Sequence, residues 1–384
     1  MHICFITHEY PKKGHPHGGV GTFVQTMARA LVQRGHTVSV VGQHYISRDE
    51  DENDQGVAIY RLKKHAVKGL SWWFNAKDIN TKLKALHAVD PITIVEASEL
   101  GLAFIKKLKG VKYVIRLHGG HHFFAEAENR GINLWKGFQE KRSFKKADGF
   151  VAVSNYVKTH TEKYLDFYDK PLAYSPSPID LERFYPRPDI KIKRHHIAFV
   201  GTVCEKKGIR QLILAMPKVL KEVPDAILHI YGRDWYFADG TSYIDHLKTD
   251  VLPNLEKGPE HIIFHGPIPY DEIPSKYAEA EVCVFPSHME TQGLVAPEAM
   301  AMGKPVVFSE LGPGPEIIEH QTNGLLCDPH SPDSIAECIC ELLINKEEAE
   351  SLAKKAAKSA KELYSIEAAA DRNTNFYRSL IRTN

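Results

Sequence analysis

The sequence predicts an α/β protein built from two doubly wound domains. Three observations carry this. Short strand-like runs rich in Val, Ile and Phe alternate with amphipathic stretches almost throughout, the pattern of parallel sheets with helices on both faces. The alternation runs twice, with one proline-rich break between the series. The length, 384 residues, suits two domains of about 100–200 residues each.

The elements follow in order. HICFIT (2–7), TVSVVG (37–42), ITIVEA (92–97), KYVIRLHG (112–119) and GFVAVS (149–154) read as strands because they are short and rich in β-branched residues. Helical stretches such as GTFVQTMARALVQRG (21–35) separate them. At 171–189 the chain becomes PLAYSPSPIDLERFYPRPD, whose five prolines forbid long regular structure and mark an interdomain connection. HHIAFVG (195–201), AILHIYG (226–232), IIFHG (262–266), EVCVFPS (281–287), KPVVFS (304–309) and GLLCD (324–328) then form a second strand series. The domains span 1–180 and 190–365, and a helical tail closes the chain. No short tandem repeat is present.

Composition is that of an ordinary globular protein. The N-terminus lacks a basic region and a long apolar core, so no signal peptide is expected. No apolar run approaches the roughly 18 residues of a spanning helix. The six cysteines lack CxxC spacing and read as reduced thiols. The expected location is cytoplasmic. Residues 1–180 carry 26 Lys and Arg against 18 Asp and Glu, and the remainder carries 23 against 30. The basic half either meets an anionic acceptor or the cytoplasmic face of the inner membrane, or balances the acidic half.

In open α/β sheets ligands bind at the carboxyl ends of strands, so the loops there hold the candidates. HPHGGVGTF (15–23) follows the first strand; Gly19 and Gly21 allow a tight turn and close approach to a ligand. A dinucleotide fingerprint would need glycine at 24, where Val24 stands, and an acidic end to the second strand, where Gln43 stands, so NAD is disfavoured. In RLHGGHHFF (116–124), His118 ends a strand and can reach a substrate hydroxyl. His121 and His122 read as loop residues near an acceptor, or simply exposed. Tyr10 joins them as an acceptor-side candidate. Three histidines at this spacing, without a carboxylate or cysteine cluster, do not suggest a metal. In FVGTVCEKKGI (199–209), Lys206 and Lys207 can neutralise a phosphate. In METQGLVAPEAMAMGKP (289–305), Pro297 must lie in a first helical turn, which starts the helix near 293–296. Glu290 and Glu298 then bracket the helix start, one before it and one in its first turn.

Two stretches are set aside. SRDEDENDQG (47–56) contains Asp49–Asp51 in DxD spacing, but reads as a solvated acidic surface loop; as a calcium loop it fails at Asp54 and Tyr60. The basic stretch 134–150 reads either as a solvated helix face or as a membrane-surface helix.

Taken in order, these motifs resemble glycosyltransferase family 4, retaining enzymes of the GT-B fold. The match covers essentially the whole chain: the glycine loop, His118 after a strand, VAVS at 151–154, IDLERF at 179–184, Lys207-Gly208, and Glu290-x7-Glu298 followed by AMAMG and KPVV. The resemblance implies two Rossmann-like domains facing across a deep cleft, with the C-terminal helix (about 366–384) packed back on the first domain. It implies a nucleotide-diphosphate sugar, most likely UDP-glucose or similar, as substrate, with no cofactor and no metal. Lys207 and the backbone at Gly293, Leu294 and Val295 would hold the diphosphate. Glu298 would bind ribose, Glu290 the sugar hydroxyls, and His118 the sugar from the other domain. Gly19 and Gly21 would approach the phosphates or the acceptor, and Pro267 and Ile268 the base. Thr202 stands where the family usually has arginine; either Lys206 or Arg233 would substitute, or the diphosphate site would be weaker. The acceptor would be a saccharide or lipid-linked saccharide, and no nucleic acid is implied. The alternatives are a UDP-sugar epimerase on the same fold and a non-catalytic sugar-nucleotide sensor.

Overall fold

The computed structural model describes residues 1–12, 15, 18–127 and 131–382. The chain divides into two compact units, Met1–Pro178 with Ile366–Asn384, and Ile179–Ser365.

Among the described residues the first unit holds eight strands: β1 (His2–Ile6), β2 (Thr37–His44), β3 (Glu50–Asp54), β4 (Val57–Lys63), β5 (Ile94–Ser98), β6 (Lys112–Leu117), β7 (Gly149–Ala152) and β8 (Leu172–Tyr174). Their order across the sheet is β3-β4-β2-β1-β5-β6-β7-β8. β1 is central: Ile3 pairs in parallel with Val38 on one side and Ile94 on the other. Every residue of β1 is buried, as a strand covered on both faces requires. The strand order reverses direction at β1 and β5, so the loops after these strands diverge and leave a crevice.

The expected acidic loop at 47–56 is instead largely a strand. Glu50–Asp54 pairs antiparallel with β4 through a tight turn at Gln55 and Gly56, both at positive φ. Its charges suit an exposed sheet edge, where they discourage pairing with another chain. Asp54 accepts hydrogen bonds from Arg29, Gln25 and Tyr10. The proline-rich connection also contributes an element, because Leu172–Tyr174 adds an edge strand beside β7.

The Ile366–Arg382 helix completes this unit. Ala369, Ala370, Phe376, Tyr377 and Leu380 are buried with Phe5, Met27 and Val114. Arg116, fully buried on β6, donates to Glu96 on β5 at 2.7 Å and to Asn373 at 2.8 Å. The Tyr377 hydroxyl donates to the other oxygen of Glu96.

The second unit holds β9 (His196–Val200), β10 (Ile227–Tyr231), β11 (Ile262–Gly266), β12 (Val282–Phe285), β13 (Val306–Ser309) and β14 (Leu325–Cys327). All six are parallel, in the order β11-β10-β9-β12-β13-β14. Ile197 on β9 pairs with Leu228 on β10 and Val282 on β12. The order reverses at β9 and β12, so the loops at 201–208 and 286–294 flank this unit's crevice.

Candidate functional site

In the second unit the chain after β9 makes a short turn, Glu205–Lys207, that ends at Gly208 in the left-handed region (φ 67°). A Cβ at Gly208 would lie 1.8 Å from the carbonyl oxygen of Pro286, so the two crevice loops meet backbone to backbone only because this residue is glycine. The His288 amide donates to the Lys206 carbonyl at 3.0 Å and fastens the loops again. This brings Lys207 to Glu290, 83 positions later: its ammonium donates to Glu290 Oε1, which also accepts from the Ser287 hydroxyl at 3.0 Å.

Glu298 sits on the Val295–Ala301 helix, with Pro297 in its first turn as expected. Its carboxyl is buried, and burial pushes it up to about 7, while Tyr270 and Arg183 pull it back. The Tyr270 hydroxyl donates to Glu298 Oε1 at 3.0 Å. Arg183 lies 4.6 Å from the Tyr270 ring centre and pairs with Asp271 at 3.1 Å, which holds that ring in place. Pro267 and Ile268 follow β11, just before Tyr270. Arg233, after β10, donates from Nε to the Thr202 hydroxyl at 3.4 Å, so a guanidinium does reach this position, from the neighbouring strand's loop.

In the first unit, residues 16 and 17 of the glycine loop lie outside the described residues. Gly18 precedes the Gly19–Gln33 helix, and its amide donates to Glu9 at 3.2 Å. A Cβ at Gly21 would stand 2.0 Å from the Glu9 carbonyl oxygen, so the helix could not approach the end of β1 with any larger residue. Gly19 has open space around it. His118 follows β6. Its ring packs edge-on against Phe23 at 5.2 Å, and burial followed by the Arg116 charge pushes it down to about 3, so it is neutral.

The three acceptor-side candidates differ from expectation. His121 and His122 are not exposed loop residues; they open the His121–Ala127 helix and are buried. His122 Nδ1 bonds to Glu140, and His121 Nε2 accepts from the Asn133 amide at 2.8 Å. Burial follows because the carboxylate of Glu140 receives both backbone amides at this helix start. Tyr10 is buried too, its hydroxyl given to Asp54 at 2.8 Å. Tyr270, Ser287 and Arg183 were not foreseen. Ser287, three residues before Glu290, and Arg183, inside IDLERF (179–184), carried a local signal; Tyr270 carried none.

Among the described residues no group of three or more His, Cys, Asp or Glu is placed to hold a metal ion. None of their helices is long and apolar enough to cross a membrane.

Comparison with known proteins agrees along the whole chain. Residues 17–183 match Glycosyltransferase Family 4, and residues 183–359 match Glycosyl transferases group 1. An uncharacterized glycosyltransferase of Methanocaldococcus jannaschii is 30% identical over 98% of both chains. A GDP-mannose-dependent alpha-(1-6)-phosphatidylinositol monomannoside mannosyltransferase of Mycobacterium tuberculosis is 25% identical over 90% of both. Among solved structures, sucrose-phosphate synthase of Thermosynechococcus elongatus superposes with a TM-score of 0.82 at 22% identity, covering all of both chains. Anabaena HepE, solved with UDP and glucose, gives 0.75 at 16% identity, covering 99% of this chain and all of that one. These two likenesses speak for the fold, two Rossmann-like α/β units of the GT-B type. On its sequence and its fold, the chain belongs to the family 4 glycosyltransferases.

Proposed function

We propose that the chain is a metal-independent, retaining hexosyltransferase. It would take the sugar from a nucleotide-diphosphate donor, UDP-glucose or a near relative, and pass it to a saccharide or lipid-linked acceptor in polysaccharide or glycolipid assembly. The observation that carries this reading is the Lys207–Glu290 pair at the reversal of the second sheet, with Glu298 on the next helix.

The chemistry follows from charge. Breaking the bond from the anomeric carbon to phosphate leaves the sugar positive and the diphosphate negative. Lys207 would turn from Glu290 to the diphosphate, joined by Arg233 beside Thr202 and by the backbone at Gly293, Leu294 and Val295. Glu290, released from its lysine, would then face the sugar hydroxyls and the growing positive charge. Glu298 keeps one oxygen on Tyr270 and offers the other to the ribose diol. Neutral His118 adds a polar contact to the sugar without adding charge. Pro267 and Ile268 would meet the base, and Gly19 and Gly21 the phosphates or the acceptor. On the retaining route the acceptor oxygen bonds to the anomeric carbon on the face the phosphate leaves, and that phosphate takes the acceptor proton.

The relatives divide on the donor. UDP is supported by HepE, solved with UDP and glucose, and GDP-mannose by the mycobacterial relative. That relative's phosphatidylinositol monomannoside supports a lipid-linked acceptor. An exposed aromatic patch on the first unit supports peripheral contact with a membrane there. Trp135 stacks between Phe104 and Phe138 at 5.7 Å each and meets Trp72 edge-on, while Leu134 is 88% exposed. Lys77 lies over the neighbouring Trp73, so the patch has the aromatic and basic character of an interfacial surface.

The test is donor hydrolysis in EDTA, with UDP-glucose, GDP-mannose and ADP-glucose as substrates and proton NMR of the released sugar. The reading expects one donor to be cleaved, with the α anomer appearing first. The β anomer first, or no cleavage, would count against it. An isomerised nucleotide sugar would favour the epimerase.

A further inference from the structure

Two buried carboxylates lie behind His118, and the reaction described above uses neither. Glu99 is in the turn after β5, at the reversal of the first sheet, and is 3% exposed. Its Oε1 accepts the His118 backbone N–H at 2.6 Å. Glu140, on the Leu134–Lys146 helix, is fully buried. It accepts the His121 and His122 amides and bonds the His122 ring. Gly120 passes between the two: a Cβ there would lie 2.0 Å from Glu140 Oε1 and 3.0 Å from Glu99 Cγ. The supports of the two carboxylates are themselves joined. The Ser143 hydroxyl accepts the Leu102 amide at 3.1 Å, and Arg142 donates to the Ala103 carbonyl at 2.7 Å. Residues 118–122 therefore hang from two acids on one braced frame.

We propose that Glu99 and Glu140 form a pH-sensitive clamp that sets the position of His118. Its consequence for catalysis rests on the reading of His118 as a sugar contact; the clamp itself does not.

Burial pushes the Glu99 carboxyl up to about 8; its own backbone amide pulls it back, the nearby Glu140 pushes it up, and the His118 and Gly119 amides pull it back further. Glu99 is thus a neutral acid at pH 7, and its proton leaves just above that. Ionisation then sets a second negative charge near Glu140 across Gly120, while the ionised oxygen draws harder on the His118 amide. Among the described residues, the other charged or titratable groups around the loop include Arg116 on β6, the His118 ring itself, His121 and His122 on the following helix, and Tyr164, whose ring stacks on His122 at 5.7 Å. The His118 ring stays neutral over the alkaline range, so it can report movement without titrating.

The experiment uses the full chain labelled with carbon-13 histidine. The His118 ring Cε1–H signal, identified by its absence from His118→Gln, is followed from pH 6 to 9.5. The clamp predicts a shift with a midpoint near 8 in the native sequence and a flat trace in Glu99→Gln, whose amide keeps the shape of the neutral acid. Glu140→Gln should move the midpoint down by removing the opposing charge. If that variant does not fold, Glu99→Gln decides alone. A His118 signal that does not move, or that moves equally in Glu99→Gln, overturns the proposal. Donor hydrolysis separates the second layer: kcat should fall above pH 8 in the native chain but not in Glu99→Gln, with donor KM unchanged. A titrating signal with pH-independent kcat would keep the clamp and remove the sugar contact of His118.

Discussion

Gly208→Ala should destabilise the second unit by more than any change of backbone preference explains. Gly208 has φ 67°, where an L side chain costs about 1–2 kcal/mol. Its Cβ would also stand 1.8 Å from the Pro286 carbonyl oxygen, against 3.4 Å for ordinary contact. The loops must separate by more than an ångström, and overpacking of this kind costs about 1–3 kcal/mol. The total is about 2–5 kcal/mol. Gly240 provides the control, because its φ is 87° and nothing lies within 4 Å of its Cβ. Gly240→Ala should lose only the conformational part, about 1–2 kcal/mol. Urea unfolding of the two variants measures the difference. The same displacement parts Lys207 from Glu290, so donor hydrolysis should fall by about 10²-fold in Gly208→Ala and stay near native in Gly240→Ala. Equal losses in the two variants, in stability or in rate, would refute the claim that contact with Pro286 sets the Lys207 loop.

Glu96→Gln leaves the buried Arg116 charge without its carboxylate and should cost about 3–5 kcal/mol; thermal unfolding checks this, and a loss below 1 kcal/mol would contradict the anchoring role given to the Ile366–Arg382 helix. Glu298 is raised from 4.5 to about 7, so the folded chain holds more protons than the unfolded chain between those values. Its contribution to stability is complete below about pH 4.5 and is lost as pH climbs to about 7, and Glu298→Gln should flatten that segment of the stability curve. Donor affinity should move the other way, rising through pH 7 as the ribose-binding carboxylate ionises. Tyr270→Phe removes a hydrogen bond that favours the charged form, so calorimetric titration should place that rise at higher pH. Trp135→Ser should reduce sedimentation with vesicles of anionic lipid without changing donor hydrolysis.

The regular parts of this fold are legible because each strand's own residues dictate it. A fully buried parallel strand such as HICFI or VCVF has to be a short β-branched and aromatic run, and the proline-rich break has to fall where neither sheet can continue. The Glu50–Asp54 strand escaped because nothing apolar marks it; it is held by pairing with β4 and by what Asp54 receives from Arg29, Gln25 and Tyr10. The crevice residues Lys207, Glu290 and Glu298 were legible through motif order, and Pro297 placed the helix start. Their supports were not. Tyr270 reaches Glu298 across 28 positions and Glu99 reaches His118 across 19, and neither segment carries a local pattern. His121 and His122 misled for the same reason: their burial depends on Glu140, a carboxylate 18 or 19 residues away. Arg233 behind Thr202 shows the converse, with a charge absent from one loop supplied by the next strand's.

The central claim is that the second unit holds a nucleotide-diphosphate sugar between Lys207, Glu290 and Glu298 without a metal. Thermal-shift stabilisation in EDTA against UDP-, GDP- and ADP-sugars tests it most directly, with Lys207→Ala and Glu298→Ala alongside. A ligand at a hundred times its dissociation constant adds about 2.7 kcal/mol to the folded state. The account predicts a clear upward shift with one nucleotide class, lost in both variants. A shift that survives both substitutions, or none with any donor, would contradict it.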